Sequence, residues 1–200
     1  MGPTMKPVFI AGIAAMLTAC SSTPKETLYT LNPVPAAGAP LAAGAEVGEG
    51  VAIGPVRIPQ MVDRPQLVVR QGDNQVDLLE QHRWAEPLRD QIARALAADV
   101  GARVADARVT FYQDAAGQQA RYRVTVDVER FDAFPGQGVA TQLIWTVRDA
   151  KSEAVRSGRS SAQEAVAGAG YDAMPGAFSR ALDKAAADIA AGIQALRQSR

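Results

Sequence analysis

The chain has 200 residues, with 21 Lys and Arg against 21 Asp and Glu, a formal net charge of zero. That balance supplies neither the basic face that nucleic acid demands nor a polybasic segment for a membrane surface. One cysteine, Cys20, and one histidine, His82, exclude a disulfide framework and leave a metal centre short of nitrogen and sulfur ligands.

The first element is a targeting segment. Lys6 supplies a positive start, residues 7–16 are apolar, and Leu17-Thr18-Ala19-Cys20 closes the run. The stretch is shorter than the roughly 20 apolar residues of a spanning helix and fits the core of a secretory signal. The tetrad resembles a bacterial lipobox, in which cleavage before the cysteine leaves a thiol that carries lipid. The expectation is a signal peptide over 1–19 and a mature chain tethered to the membrane through Cys20. Ser21 behind it directs the expectation to the periplasmic face of the outer membrane. An ordinary cleaved signal with a chance cysteine is the rival reading. Removal of 1–19 takes away Lys6 and no acid, leaving 20 Lys and Arg against 21 Asp and Glu.

Residues 20–50 read as a lipidated N-terminus and an arm. Thr27-Leu28-Tyr29-Thr30-Leu31 is rich in β-formers and predicts a short strand. Pro and Gly crowd the following stretch to residue 50, which reads as a linker. Fully extended, residues 21–50 would reach roughly 100 Å, enough for the domain to stand off the membrane.

A single domain is expected over 51–200. Val51-Ala52-Ile53 begins a strand that meets Gly54-Pro55, and Val56-Arg57-Ile58-Pro59 stays extended. Residues 67–70 and 76–80 flank a Gly-containing loop and predict a hairpin. Leu88, Ile92, Leu96 and Val100 recur at helical spacing behind Pro87, with Gly101 as the stop. Tyr122, Val124, Val126 and Val128 alternate with Arg123, Thr125, Asp127 and Glu129, which predicts one dry and one wet face. Residues 139–148 form a second strand after the turn Pro135-Gly136-Gln137-Gly138, and 154–165 an edge strand. Tyr171, Met174, Phe178, Leu182, Ala185, Ile189, Ile193 and Leu196 make the stripe of a second helix. These elements predict an α+β two-layer sandwich, a mainly antiparallel sheet with two amphipathic helices on one face.

Chemistry is sparse. His82 lacks a Gly-x-Ser-x-Gly elbow to partner it, and Ser157-Gly158-Arg159-Ser160 is not that motif. His82 therefore reads as structural or interfacial, with a periplasmic hydrolase as the alternative. Asp127 and Glu129 share a strand face, where paired carboxylates serve acid–base work or simply meet water. No nucleotide-binding glycine motif is present, and neither cofactor nor metal is expected. Arg57, Arg64, Arg70, Arg83, Arg89 and Arg94 are a dense run, either a patch for anionic headgroups or an acidic partner, or ordinary surface charge. Trp84 beside Arg83 is either an interface anchor or a core residue.

Val51-Ala52-Ile53-Gly54-Pro55-Val56-Arg57-Ile58-Pro59, Asp63-Arg64-Pro65-Gln66 and Arg83-Trp84-Ala85-Glu86-Pro87-Leu88 resemble the ABC-type transport auxiliary lipoprotein family, as does Tyr29-Thr30-Leu31. The resemblance implies an accessory subunit of an MCE-type lipid transport system that supports envelope lipid traffic and membrane integrity. It implies docking to an MCE-domain transporter protein (PqiB-like), with a homo-oligomer as a further expectation, and carries no catalytic residue. The partner-interface candidates are Arg57, Asp63, Arg64, Arg83, Trp84 and Glu86. The rival from another class is a structural lipoprotein that assists assembly of an outer-membrane protein.

Overall fold

The computed structural model describes residues 25–34, 49–104, 106–166, 168 and 170–199. The signal segment 1–19 and Cys20 lie outside the described residues. Eleven elements follow in chain order: β1 (Thr27–Tyr29), β2 (Gly50–Arg57), β3 (Gln66–Arg70), β4 (Val76–Trp84), α1 (Leu88–Gly101), β5 (Arg108–Phe111), α2 (Ala115–Gln118), β6 (Tyr122–Phe134), β7 (Gly138–Asp149), β8 (Val155–Ala165) and α3 (Met174–Gln198).

The α+β class expected from the sequence holds, with two mixed sheets. The larger runs β5-β2-β6-β7-β8 and the smaller runs β1-β4-β3. The long pairings β6–β7 and β7–β8 are antiparallel. β2 is parallel to both β5 and β6, and β1 is parallel to β4. The expected hairpin is β3–β4, and the expected edge strand is β8. Strand β5 and the short α2 have no counterpart in the sequence reading. The connection from β2 to β5 passes through the small sheet and α1, a length that a parallel pairing requires.

The two long helices pack on each other, α1 against β2 and β5 and α3 against β6, β7 and β8. In α3 the stripe Met174, Phe178, Leu182, Ala185, Ile189, Ile193 and Leu196 is buried; in α1, Leu88, Ile92, Leu96 and Val100 are. Burial of each large aliphatic or aromatic side chain contributes about 1.5–3 kcal/mol, so the stripes outweigh the missing side-chain caps at both helix starts. Tyr122, Val124, Val126 and Val128 are buried while Arg123 and Glu129 are exposed, the alternation expected of β6. The register then shifts between Val128 and Arg130. Beyond this bulge Phe131, Asp132 and Ala133 are buried in succession, as the strand bends under the small sheet.

Trp84 joins the layers. It is 5% exposed and meets Phe131 and Phe178 edge-on, while those two rings stack with centroids 3.8 Å apart. The cluster ties β4 to β6 and to the start of α3. At the other end of α3, Arg121 grips the buried Asp149 with Nε donating to Oδ1 at 3.1 Å and Nη2 to Oδ2 at 2.9 Å. Glu49 pairs with both Arg121 and Arg197 there.

Candidate functional site

A cleft of about 410 Å³ opens between the end of β2, the first turns of α1 and the turn after β5. Its floor is the cis peptide Gly54–Pro55. Gly54 has φ +113°, a region that strains any residue with a side chain, and a Cβ there would meet the Tyr112 ring at 2.5 Å. Glycine is therefore required twice over, by its backbone angle and by the aromatic ring resting on it. Tyr112 is fixed by its N–H, which donates to the Ile53 carbonyl at 3.1 Å, and remains 40% exposed.

Three arginines of the dense run line this cleft, Arg57, Arg89 and Arg94. Each has a carboxylate: Arg57 with Asp127 at 2.7 Å, Arg89 with Asp63 at 2.5 Å, and Arg94 with Glu86. The Arg57 side chain is 73% exposed. Exposed pairs of this kind are worth about 0–1 kcal/mol each, so an arriving carboxylate or amide can exchange for them at little loss. Asp90 and Asp114 also line the cleft, so it presents both signs of charge around one aromatic face.

The interface candidates thus divide. Arg57, Asp63 and Glu86 gather around the cleft, two of them through Arg89 and Arg94. Arg64 is half-buried, with an Nε that has no hydrogen-bond partner among the described residues. Arg83 does not line the cleft and pairs with Glu26 at 2.8 Å. Trp84 takes the core alternative, because the bulge in β6 and the first turn of α3 close over it. Sequence reasoning missed Tyr112 and Gln113, in the turn after the unforeseen strand β5; the adjacent pair Phe111-Tyr112 was the available signal.

A second constellation fastens the N-terminal segment to the domain. The Tyr29 hydroxyl donates to Asp172 Oδ1 at 2.6 Å and lies 2.7 Å from His82 Nδ1. A phenol has one proton to give, so His82 carries its proton on Nδ1 and donates to Tyr29. Burial, then the hydrogen bond to the Asp172 carboxylate and its charge, hold the Tyr29 hydroxyl well above its ordinary titration range. The His82 ring lies nearly parallel to that of Tyr29, centroids 5.8 Å apart, and meets Tyr171 edge-on at 4.8 Å.

The chain then crosses the helices as a strap. The N–H groups of Leu31, Asn32 and Val34 donate to Gln91 Oε1 (2.8 Å), Ser179 Oγ (3.2 Å) and Asp99 Oδ1 (3.1 Å). Gln91 and Asp99 belong to α1 and Ser179 to α3. Asp99 is buried, and that burial, with the nearby charge of Asp183, raises its carboxyl to about 6 against the opposing pull of Arg103 and the Val34 N–H. The sequence reading placed residues 32–34 in a linker ahead of a domain starting at 51. The structure packs 27–34 on the domain: 27–29 pair with β4 as a strand, and side chains, rather than a regular ladder, satisfy the amides of Leu31, Asn32 and Val34.

Among the described residues no group of three or more His, Cys, Asp or Glu is placed to hold a metal ion, and no helix is long and apolar enough to cross a membrane. The fold is shared with solved structures. An uncharacterized protein matches with a TM-score of 0.69 at 18% identity, covering 84% of this chain and 99% of that one. Protein XCC0632 from Xanthomonas campestris, a DUF330 protein, matches with a TM-score of 0.64 at 18% identity, covering 86% and 99%. No curated protein matches the chain. The family model of the ABC-type transport auxiliary lipoprotein component matches residues 29–190, and the chain belongs to that family.

Proposed function

We propose that this protein is an outer-membrane-anchored, periplasmic accessory subunit of an MCE-type, ABC-type lipid transport system that works by docking rather than turnover. The observation that carries the reading is the family membership over residues 29–190. The signature residues Gly54, Pro55, Arg57, Asp63 and Glu86 meeting around one cleft support it. So does the Leu17-Thr18-Ala19-Cys20 tetrad behind an apolar run, which suits lipidation at Cys20. In this reading a polar segment of an MCE-domain partner lays an apolar side chain on Tyr112 and exchanges ion pairs with Arg57, Arg89 and Arg94. A homo-oligomer belongs to the same reading, with the outer edge of β8 available to a second copy.

The test is affinity capture of the lipidated protein from detergent-solubilised membranes, with detergent sensitivity of a deletion strain alongside. Capture of an MCE-domain protein together with a sensitised strain supports the proposal. Capture of a β-barrel alone favours the role in outer-membrane protein assembly. Neither partner, with an unaltered strain, rejects the transport role.

A further inference from the structure

The point at which the N-terminal segment joins the fold limits where the domain can sit. β1 begins at Thr27, in register opposite His82 of β4, and Glu26 is already paired with Arg83. Seven peptide steps separate Cys20 from Thr27. Whatever their path, they span at most roughly 25 Å. The roughly 100 Å reach expected of the whole arm is therefore lost, since its later part lies beyond the attachment point.

The attachment also has a direction. β1 is parallel to β4, so the chain leading into Thr27 comes from the side on which β4 begins, the side of the β3–β4 turn at 71–75. The three-stranded sheet sits beside the start of α3, through Trp84 on Phe178 and Tyr29 on Asp172. The other end of α3, 25 residues on and so roughly 35 Å away, carries Arg197, Glu49 and Arg121, with the β7–β8 turn beside them. A tether of 25 Å alone would let the domain lie on its side. The surface chemistry discriminates: Leu28 (60% exposed), Val76 (36%) and Leu78 (36%) are three of the five large exposed hydrophobic side chains among the described residues, and all three belong to the small sheet.

We infer that the three-stranded sheet is the membrane-proximal end of the domain, with Leu28, Val76 and Leu78 against the bilayer interface and the Arg121–Arg197 end turned away from it. The occupant of this apolar face is the lipid surface to which Cys20 is anchored, so the inference rests on the lipidation in the proposed function. Asp73, Asp77 and Glu80 on the same hairpin make a zwitterionic surface the better match.

The experiment uses the lipidated full chain in phosphatidylcholine vesicles containing nitroxide-labelled lipid, with one dye on Gly72→Cys or on Lys151→Cys. A Cβ at Gly72 meets nothing within 4 Å, and Lys151 is exposed in the β7–β8 turn, so both tolerate a label. The dye at 72 is expected to be quenched severalfold more strongly than the dye at 151. The pair Leu28→Asp and Leu78→Asp should weaken quenching at 72 while the protein still floats with the vesicles. Equal or reversed quenching in floating protein, or no response to the aspartates, overturns the orientation. Protein that fails to float, with Cys20 free to react with dye, overturns the lipidation on which it rests.

Discussion

The Leu31 N–H donates to the side-chain oxygen of Gln91 at 2.8 Å, so the N-terminal strap is held by a residue buried inside α1. Gln91 completes its bonding by donating to the Glu86 carbonyl at 2.9 Å. Gln91→Ala removes both partners and leaves a buried N–H unpaired, a loss of about 1–3 kcal/mol. Chemical denaturation should show that loss, and hydrogen exchange at Leu31 should accelerate more than exchange in β6 or β7.

Stability should depend on pH through carboxyls that the fold shifts in opposite directions. Asp99 is raised to about 6 in the fold. The native state therefore holds its proton where the unfolded chain, near the ordinary value of about 4, has released it. That contribution is fully present below about pH 4 and is lost as pH rises through about 6. Asp149 runs the other way, because Arg121 holds its carboxyl far below the usual range. Its contribution is present above about pH 4 and is lost as pH falls below that. The melting temperature should peak near pH 4–5. Asp99→Asn, which keeps an acceptor for Val34, should raise stability at pH 7.5 by about 1–3 kcal/mol and flatten the curve between 4 and 6. An unchanged curve in that variant would remove Asp99 as the cause.

Trp145 shows why two small residues face it. Its Nε1 donates to Ser160 Oγ at 3.1 Å, and that hydroxyl donates to Asp188 at 2.5 Å. A Cβ at Gly192 would lie 2.8 Å from the ring, and one at Gly158 2.3 Å. Gly192→Ala gains about 1 kcal/mol of helix propensity but forces overpacking that costs about 1–3 kcal/mol. The net effect should be destabilising, read as a lower melting temperature. A rise would mean that α3 shifts freely over the sheet.

The cleft should be separable from the fold. Arg57 and Arg94 are exposed and their ion pairs are weak. Arg57→Glu with Arg94→Glu should leave the melting temperature within about 2 °C of the parent and reduce capture of the partner at least about tenfold. The same capture with both charges reversed would place docking elsewhere.

Periodicity alone specified α1, α3, the β6–β7–β8 meander and the β3–β4 hairpin, because side-chain burial along a helix or an alternating strand is written residue by residue. The matched signature segments also carried the family; Arg57 lines the cleft, while Asp63 and Glu86 pair with the Arg89 and Arg94 that line it. Tertiary structure decided what depends on distant partners: that β2 pairs in parallel on both sides, that Trp84 lies under Phe131 and Phe178, and that Tyr112 closes a cleft over Gly54. It also decided the fate of residues 31–34. Leu31 ends the expected strand and 32–34 read as linker, and only the side chains of Gln91, Asp99 and Ser179, brought in from two helices, give those amides somewhere to bond. Local pattern records which face of an element is apolar; it does not record which remote group will satisfy an irregular backbone.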